Sequence, residues 1–120
     1  MDHHLKLRHN GTYIRWSGNR GMSWYELIAD INDLLGLKPP PDLLILHAGG
    51  NDCVSIPTDK LCARIENDIK WLHNTLPACT IVWSDILTRN KYRGCSNIQA
   101  MERKRKRVNR EGRKAALDVG

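Results

Sequence analysis

A Gly-Gly-Asn-Asp sequence follows an apolar run in the middle of the chain, and its residue types suit acyl-transfer chemistry. Gly49 and Gly50 let the backbone turn sharply and let a substrate approach it, while Asn51 offers an amide donor and Asp52 an acceptor. An amide donor beside exposed backbone N–H groups forms an oxyanion hole, which stabilises charge developing on a carbonyl oxygen. A tight turn whose side chains satisfy their own backbone would use the same residues. Composition alone leaves both interpretations open.

A run of five cations near the C-terminus is the second chemical feature of the chain, whose net charge is +6. Its members are Arg103, Lys104, Arg105, Lys106 and Arg107. Such a run can neutralise the phosphates of nucleic acid, or act as a nuclear-import signal. Met101, Val108 and Ala115 stand at helical spacing around it, which favours the solvated face of an amphipathic helix. No stacking aromatic residues interleave with the cations, so nucleic-acid binding is kept as the alternative.

The cysteines and histidines are not spaced to hold a metal. The four cysteines are Cys53, Cys62, Cys79 and Cys95. They form no CxxC pair and no Cys/His grouping of zinc-ligand spacing, so we expect reduced, unligated thiols. The histidines among the first ten residues are expected to be solvated, and His47 and His73 are interpreted as structural, although His47 lies near the end of a predicted strand. We therefore assign no metal and no cofactor.

Three predicted strands alternate with three predicted helices. The strands are residues 12–16, 43–46 and 80–83, and the helices are residues 24–35, 58–76 and 96–116. Ser23 with Glu26, and Ser96 with Gln99, have the spacing of capping boxes at the first and third helices. Ile98 is placed on the inner side of the third helix with the other apolar residues. This order predicts an α/β fold with a parallel sheet and helices covering its faces.

The middle strand and the strand ends position the candidate site. Residues 43–46 are continuously apolar, which is typical of a strand buried on both faces. Ligands bind at the carboxyl ends of strands in open parallel sheets. The two informative loops are therefore residues 17–22 and 49–53.

Residues 41–52, an apolar strand ending in Gly-Gly-Asn-Asp, resemble the third conserved block of the SGNH hydrolases (GDSL-like esterases and lipases). Gly21, in Ser-Gly-Asn-Arg-Gly-Met, matches the place of the second block. Residues 80–85 and 97–110 resemble the following strand and helix of that family. The resemblance covers residues 11–120. Within the family, the sequence most resembles vertebrate SGNH-like proteins that have a Gly-Gly-Asn-Asp strand end.

The resemblance implies a flavodoxin-like three-layer α/β/α fold and an ester substrate or acyl ligand. It makes Gly21 and Asn51 the oxyanion donors, and it brings Gly49, Gly50 and Asp52 against the substrate. In the family the backbone N–H of the second-block glycine and the side-chain amide of the third-block asparagine share this role.

Two departures from the family pattern affect catalysis. The nucleophilic serine of the family lies upstream of the second block, but residues 1–10 contain no serine. The family base is the histidine of an Asp-x-x-His segment, yet neither His47 nor His73 has an aspartate three positions earlier. The other serines, Ser84 among them, are interpreted as loop or capping residues. We expect a partial SGNH domain, truncated at both ends and without efficient ester hydrolysis, or alternatively a non-catalytic binding module.

Composition and patterning set the remaining expectations. With 41% hydrophobic and 27% charged residues the chain suits one folded domain, residues 11–120, behind a frayed segment, residues 1–10. Leu5 and Leu7 alternate with charged residues and suit at most an edge strand, so the oligomeric state is left open. No signal-peptide pattern or apolar run of roughly 20 residues occurs, so we expect an intracellular protein, cytoplasmic or nuclear, without a membrane partner.

Overall fold

The computed structural model describes residues 2–5, 14–17, 22–89 and 96–120. In chain order the elements are β1 (Asp2–Leu5), β2 (Ile14–Ser17), α1 (Trp24–Leu35), β3 (Leu43–Leu46), α2 (Asp52–Ser55), α3 (Thr58–Thr75), β4 (Thr80–Trp83) and α4 (Ile98–Asp118). The architecture is mixed α/β, as predicted. None of the helices among these residues combines the length and the hydropathy of a membrane span.

The strands form two separate pairs. β3 and β4 are parallel, in a register that runs from Leu43 opposite Thr80 to Leu46 opposite Trp83. β2 instead pairs antiparallel with β1, so the prediction that the first strand joins the parallel sheet is wrong for the described residues. Residues 2–5 also depart from the expected frayed N-terminus. Composition selects a strand but not its partner, and a partner close in sequence costs less loop-closure entropy.

The parallel sheet has one covered face and one exposed face. Leu46 is buried, whereas Leu43 and Ile45 on the opposite face are 54% and 59% exposed. On β4, Trp83 is buried and Val82 is 38% exposed. Burial of β3 on both faces was therefore a wrong prediction for the described part of the protein, because an apolar run does not show whether a second layer covers it.

The covered face packs against α3 and α4. The buried residues that these two helices contribute to the core are Leu61, Cys62, Ile65, Ile69, Leu72, Val108, Ala115 and Ala116. On α3 the main repeat is three or four residues, and on α4 Val108 and Ala115 are two helical turns apart, so each helix presents one apolar stripe to the core. The predicted extents of α1 and α3 are confirmed to within two residues.

Helix caps follow the local sequence, with one correction. At α1 the predicted capping box is present, because the Ser23 hydroxyl accepts from the Glu26 N–H at 3.1 Å and the Glu26 carboxylate accepts from the Ser23 N–H. At α4 the cap is Asn97 rather than Ser96, since the Asn97 side chain accepts from the Ala100 N–H at 2.9 Å. Ile98, the first residue of the helix, is 42% exposed instead of lying on the inner side.

α4 makes its closest approach to the sheet where Gly112 faces Trp83. A Cβ atom at Gly112 would lie 2.5 Å from the Trp83 ring, so only glycine permits this contact. Nearby, the buried side chain of Asn109 accepts from the Trp83 indole N–H at 3.2 Å. It also accepts from the Ile86 N–H at 2.7 Å and donates to the Ile86 carbonyl at 3.1 Å. One buried amide therefore ties α4 to β4 and to the loop behind it.

Replacing Gly112 by valine should destabilise the protein by about 1–3 kcal/mol, because the new side chain must displace a buried indole ring. The matched control is Gly36→Val, since a Cβ at Gly36 meets nothing closer than 4.0 Å. Urea unfolding of both variants measures the difference. Equal midpoints for the two variants would contradict this packing.

Candidate functional site

The loop after β3 turns at Gly49, as the sequence predicts. Gly49 has a φ of 108°, a backbone conformation that residues with a Cβ rarely adopt. Its carbonyl accepts from the Cys53 N–H at 3.1 Å, which folds the chain back into α2. Gly49 and Gly50 are buried, and Asn51 is exposed at the carboxyl end of the strand.

Arg89 orients the side chain of Asn51. The Arg89 Nη1 atom donates to Asn51 Oδ1 at 3.1 Å. A guanidinium carries only donors, so this contact engages the amide oxygen and places the NH₂ group on the other arm of the planar amide. A Cβ at Gly50 would lie 2.5 Å from Arg89 Nη2, so the glycine makes room for the arginine. Sequence reasoning missed Arg89, since a single arginine in a loop carries no spacing signal.

Asp52 has a structural role that the sequence did not predict. Its side chain is 4% exposed, and its Oδ2 accepts from the Trp24 backbone N–H at 2.7 Å. Trp24 is the first residue of α1, so a carboxylate meets the positive end of that helix. The Asp52 carboxylate, which was expected to face a substrate, thus accepts a buried hydrogen bond from the backbone of α1.

Gly21 lies outside the described residues, so its predicted partnership with Asn51 stays a prediction. Of the predicted site residues, the structure brings together Gly49, Gly50 and Asn51, and it adds Arg89.

Cys53 lies beside this strand end and is buried. Burial, and after it the neighbouring Asp52 carboxylate, raises the pKa of its thiol from 9.0 to about 11. The thiol therefore stays protonated at neutral pH and is a poor nucleophile. Cys62 and Cys79 are likewise free and buried, while Cys95 lies outside the described residues. Within the described ranges no group of His, Cys, Asp and Glu side chains could hold a metal ion.

A serine and a histidine meet at the carboxyl end of the parallel pair. His47 Nδ1 and Ser84 Oγ are 3.0 Å apart. His47 follows β3 directly and Ser84 follows β4 directly. The Ser84 N–H donates to the Leu46 carbonyl at 2.9 Å, so the backbone hydrogen bonds between the two strands continue as far as this pair. The sequence could not reveal the pair, because it depends on the register between strands 37 residues apart.

The basic run of α4, residues 103–107, contains some cations that form ion pairs within the protein and others that are exposed. Arg105 pairs with Glu102 at 2.8 Å and donates to the Ile86 carbonyl, and Arg107 pairs with Asp59 at 2.6 Å. Arg103 and Lys106 are exposed, whereas Lys104 is half-buried. α4 buries Met101, Val108 and Ala115, which supports the interpretation of an amphipathic helix with a solvated charged face.

Comparison with family models, curated proteins and solved structures found no match for this chain. The family resemblance therefore stays a prediction from the motif residues of the chain.

Replacing Asp52 by alanine should cost about 1.5–3 kcal/mol, because a charge-assisted hydrogen bond is lost and the buried Trp24 N–H is left without its acceptor. Asp33→Ala, an exposed change on α1, serves as the control and should have almost no effect. Chemical denaturation gives both values. If Asp52→Ala were as mild as the control, the carboxylate would not be the structural cap of α1.

The raised pKa of Cys53 makes stability depend on pH under alkaline conditions. The contribution of the protonated Cys53 thiol to the free energy of unfolding is fully present below pH 9.0. It is lost as the pH rises through about 11, because the thiol ionises at lower pH in the unfolded chain than in the folded protein. The free energy of unfolding, measured under reducing conditions, should therefore fall across this window. Cys53→Ala should show a shallower fall, and identical slopes for the two proteins would contradict the assignment.

Proposed function

We propose that this chain is an SGNH hydrolase-like domain whose β3 end binds an acyl ligand through an oxyanion, without efficient ester hydrolysis. The observation that carries the proposal is the contact between Arg89 and Asn51. It fixes the amide with its oxygen towards Arg89, so that the NH₂ group, the donor that an oxyanion hole requires, is turned away from the guanidinium. The Gly-Gly turn beside it places Asn51 at the exposed carboxyl end of β3.

The charge at this strand end supports an anionic ligand. The Arg89 guanidinium stands against Gly50 and so adds a fixed positive charge to the amide donor. An oxygen that carries developing or full negative charge gains more from such a pair than a neutral carbonyl does. Gly21 would supply the second backbone donor in this proposal.

The finer architecture is part of the same proposal. The order β3, α3, β4, α4, with parallel strands, is compatible with part of a three-layer α/β/α sheet. The exposed apolar side chains of Leu43, Ile45 and Val82 have the character of a sheet face that a second layer covers.

The alternative is nucleic-acid binding by α4. Arg103, Lys106, Arg110 and Lys114 are exposed and, at spacings of three and four residues, share one side of the helix. Phosphates would bind such a side without sequence preference. The internal ion pairs of Arg105 and Arg107 reduce the charge that the basic run can offer, so the strand-end proposal is preferred.

Titration with ethyl methylphosphonate, a tetrahedral anion that mimics the oxyanion, tests the proposal by NMR. The amide signals of Gly49, Gly50 and Asn51 should shift, and Asn51→Ala should weaken binding about tenfold, the effect of losing one hydrogen bond to a charged group. Asn67→Ala, an exposed change on α3, is the control. Equal affinities for the two variants, or shifts confined to α4, would overturn the proposal.

A further inference from the structure

The contact between His47 and Ser84 has the geometry of a nucleophile and its base. A hydroxyl is a weak nucleophile until a neighbouring base accepts its proton, and the two groups must lie about 2.6–3.2 Å apart. His47 Nδ1 and Ser84 Oγ, at 3.0 Å, satisfy this requirement. Of the other serines whose side chains are described, Ser23 caps α1 and Ser55 donates to the Asn51 carbonyl. Ser96 is exposed just before the start of α4.

The pair is accessible from solvent. Side chains alternate along each strand, so His47 and Ser84 lie on the same exposed face as Ile45 and Val82. His47 is exposed and Ser84 is half-buried. A substrate can therefore approach the hydroxyl without displacing the core.

The loop that begins at Ser84 also runs along the proposed anion site, which is the end of β3 at Gly49, Gly50 and Asn51. A Cβ at Gly49 would lie 3.3 Å from Ile86, and Arg89 of the same loop holds Asn51. The hydroxyl, the imidazole and the proposed oxyanion donors thus share one end of the parallel pair. Catalysis by acyl transfer needs these three components at one place.

We propose that Ser84 and His47 form an acyl-accepting dyad that reacts with activated esters. The Ser84 oxygen attacks the carbonyl carbon while its proton passes to His47, and the C–O bond to the leaving alcohol breaks as His47 returns that proton. Water then attacks the acyl-serine, releasing the acid and restoring the hydroxyl. The proposal rests on the proposed function because the carbonyl oxygen uses the Asn51 site.

The dyad differs from the serine and histidine that the resemblance implies, since both of its members lie within the described residues. It also accounts for low reactivity. Among the described residues no carboxylate is bonded to His47, and the nearby Asp85 is paired with Arg113 at 3.2 Å. An imidazole without such an orienting group accelerates acyl transfer less than a full triad does.

A fluorophosphonate probe tests the dyad, because its phosphorus is attacked by activated serine oxygens and fluoride leaves. Peptide mapping of the unmodified chain after labelling should place the phosphonyl group on Ser84. His47→Gln should slow labelling at least about 100-fold, the usual contribution of a general base. Ser84→Ala should abolish labelling, and Ser55→Ala should leave it unchanged.

Labelling at another residue, no labelling of the unmodified chain, or an unchanged rate in His47→Gln would each overturn the dyad. Mapping needs no variant, so a variant that fails to fold does not affect this test. The two proposals fail separately. Phosphonate binding that depends on Asn51 without labelling of Ser84 removes only the dyad, whereas labelling of Ser84 without such binding removes only the anion site.

Discussion

The buried amide of Asn109 is the interaction on which the functional end of this protein depends. It joins the Trp83 indole, at the end of β4, to both backbone groups of Ile86. A buried amide that makes three hydrogen bonds fixes its neighbours closely, because breaking any one of them leaves a polar group unsatisfied. Gly112 supports the same junction by letting α4 lie directly on the Trp83 ring.

The path of the loop from Ser84 to Arg89 follows from this junction. Because Ile86 is held at both backbone groups, Ser84 stays beside His47 on one side of it, and Arg89 reaches Asn51 on the other. The Arg105 guanidinium adds a further donor to the Ile86 carbonyl. α4 thereby positions the strand-end site through its buried side, while its cations are distributed between ion pairs and solvent.

Local signals account for the parts of this structure that the sequence could predict. The extents of β3, β4, α1 and α3 follow from apolar periodicity, from the Ser23 capping box and from prolines, and each of these acts over a few residues. Gly49 was placed at a sharp turn because glycine suits that backbone conformation.

The errors and omissions concern which elements come together, rather than where each element lies along the chain. The partner of β2 and the exposure of Ile45 depend on which layers assemble, and composition does not determine that. The contact of Asp52 with the start of α1 was not predicted, because that helix begins 28 residues earlier in the sequence. Arg89 and the pair of His47 with Ser84 were missed because they arise only from strand register and loop path.

A crystal structure of the chain with bound ethyl methylphosphonate would test the central claim most directly, because it would show which atoms hold the anion. We predict a phosphonate oxygen about 3 Å from the Asn51 amide nitrogen, with Arg89 still bonded to Asn51 Oδ1. An anion bound only along the exposed cations of α4, or an Asn51 amide that turns its oxygen towards the ligand, would contradict the account.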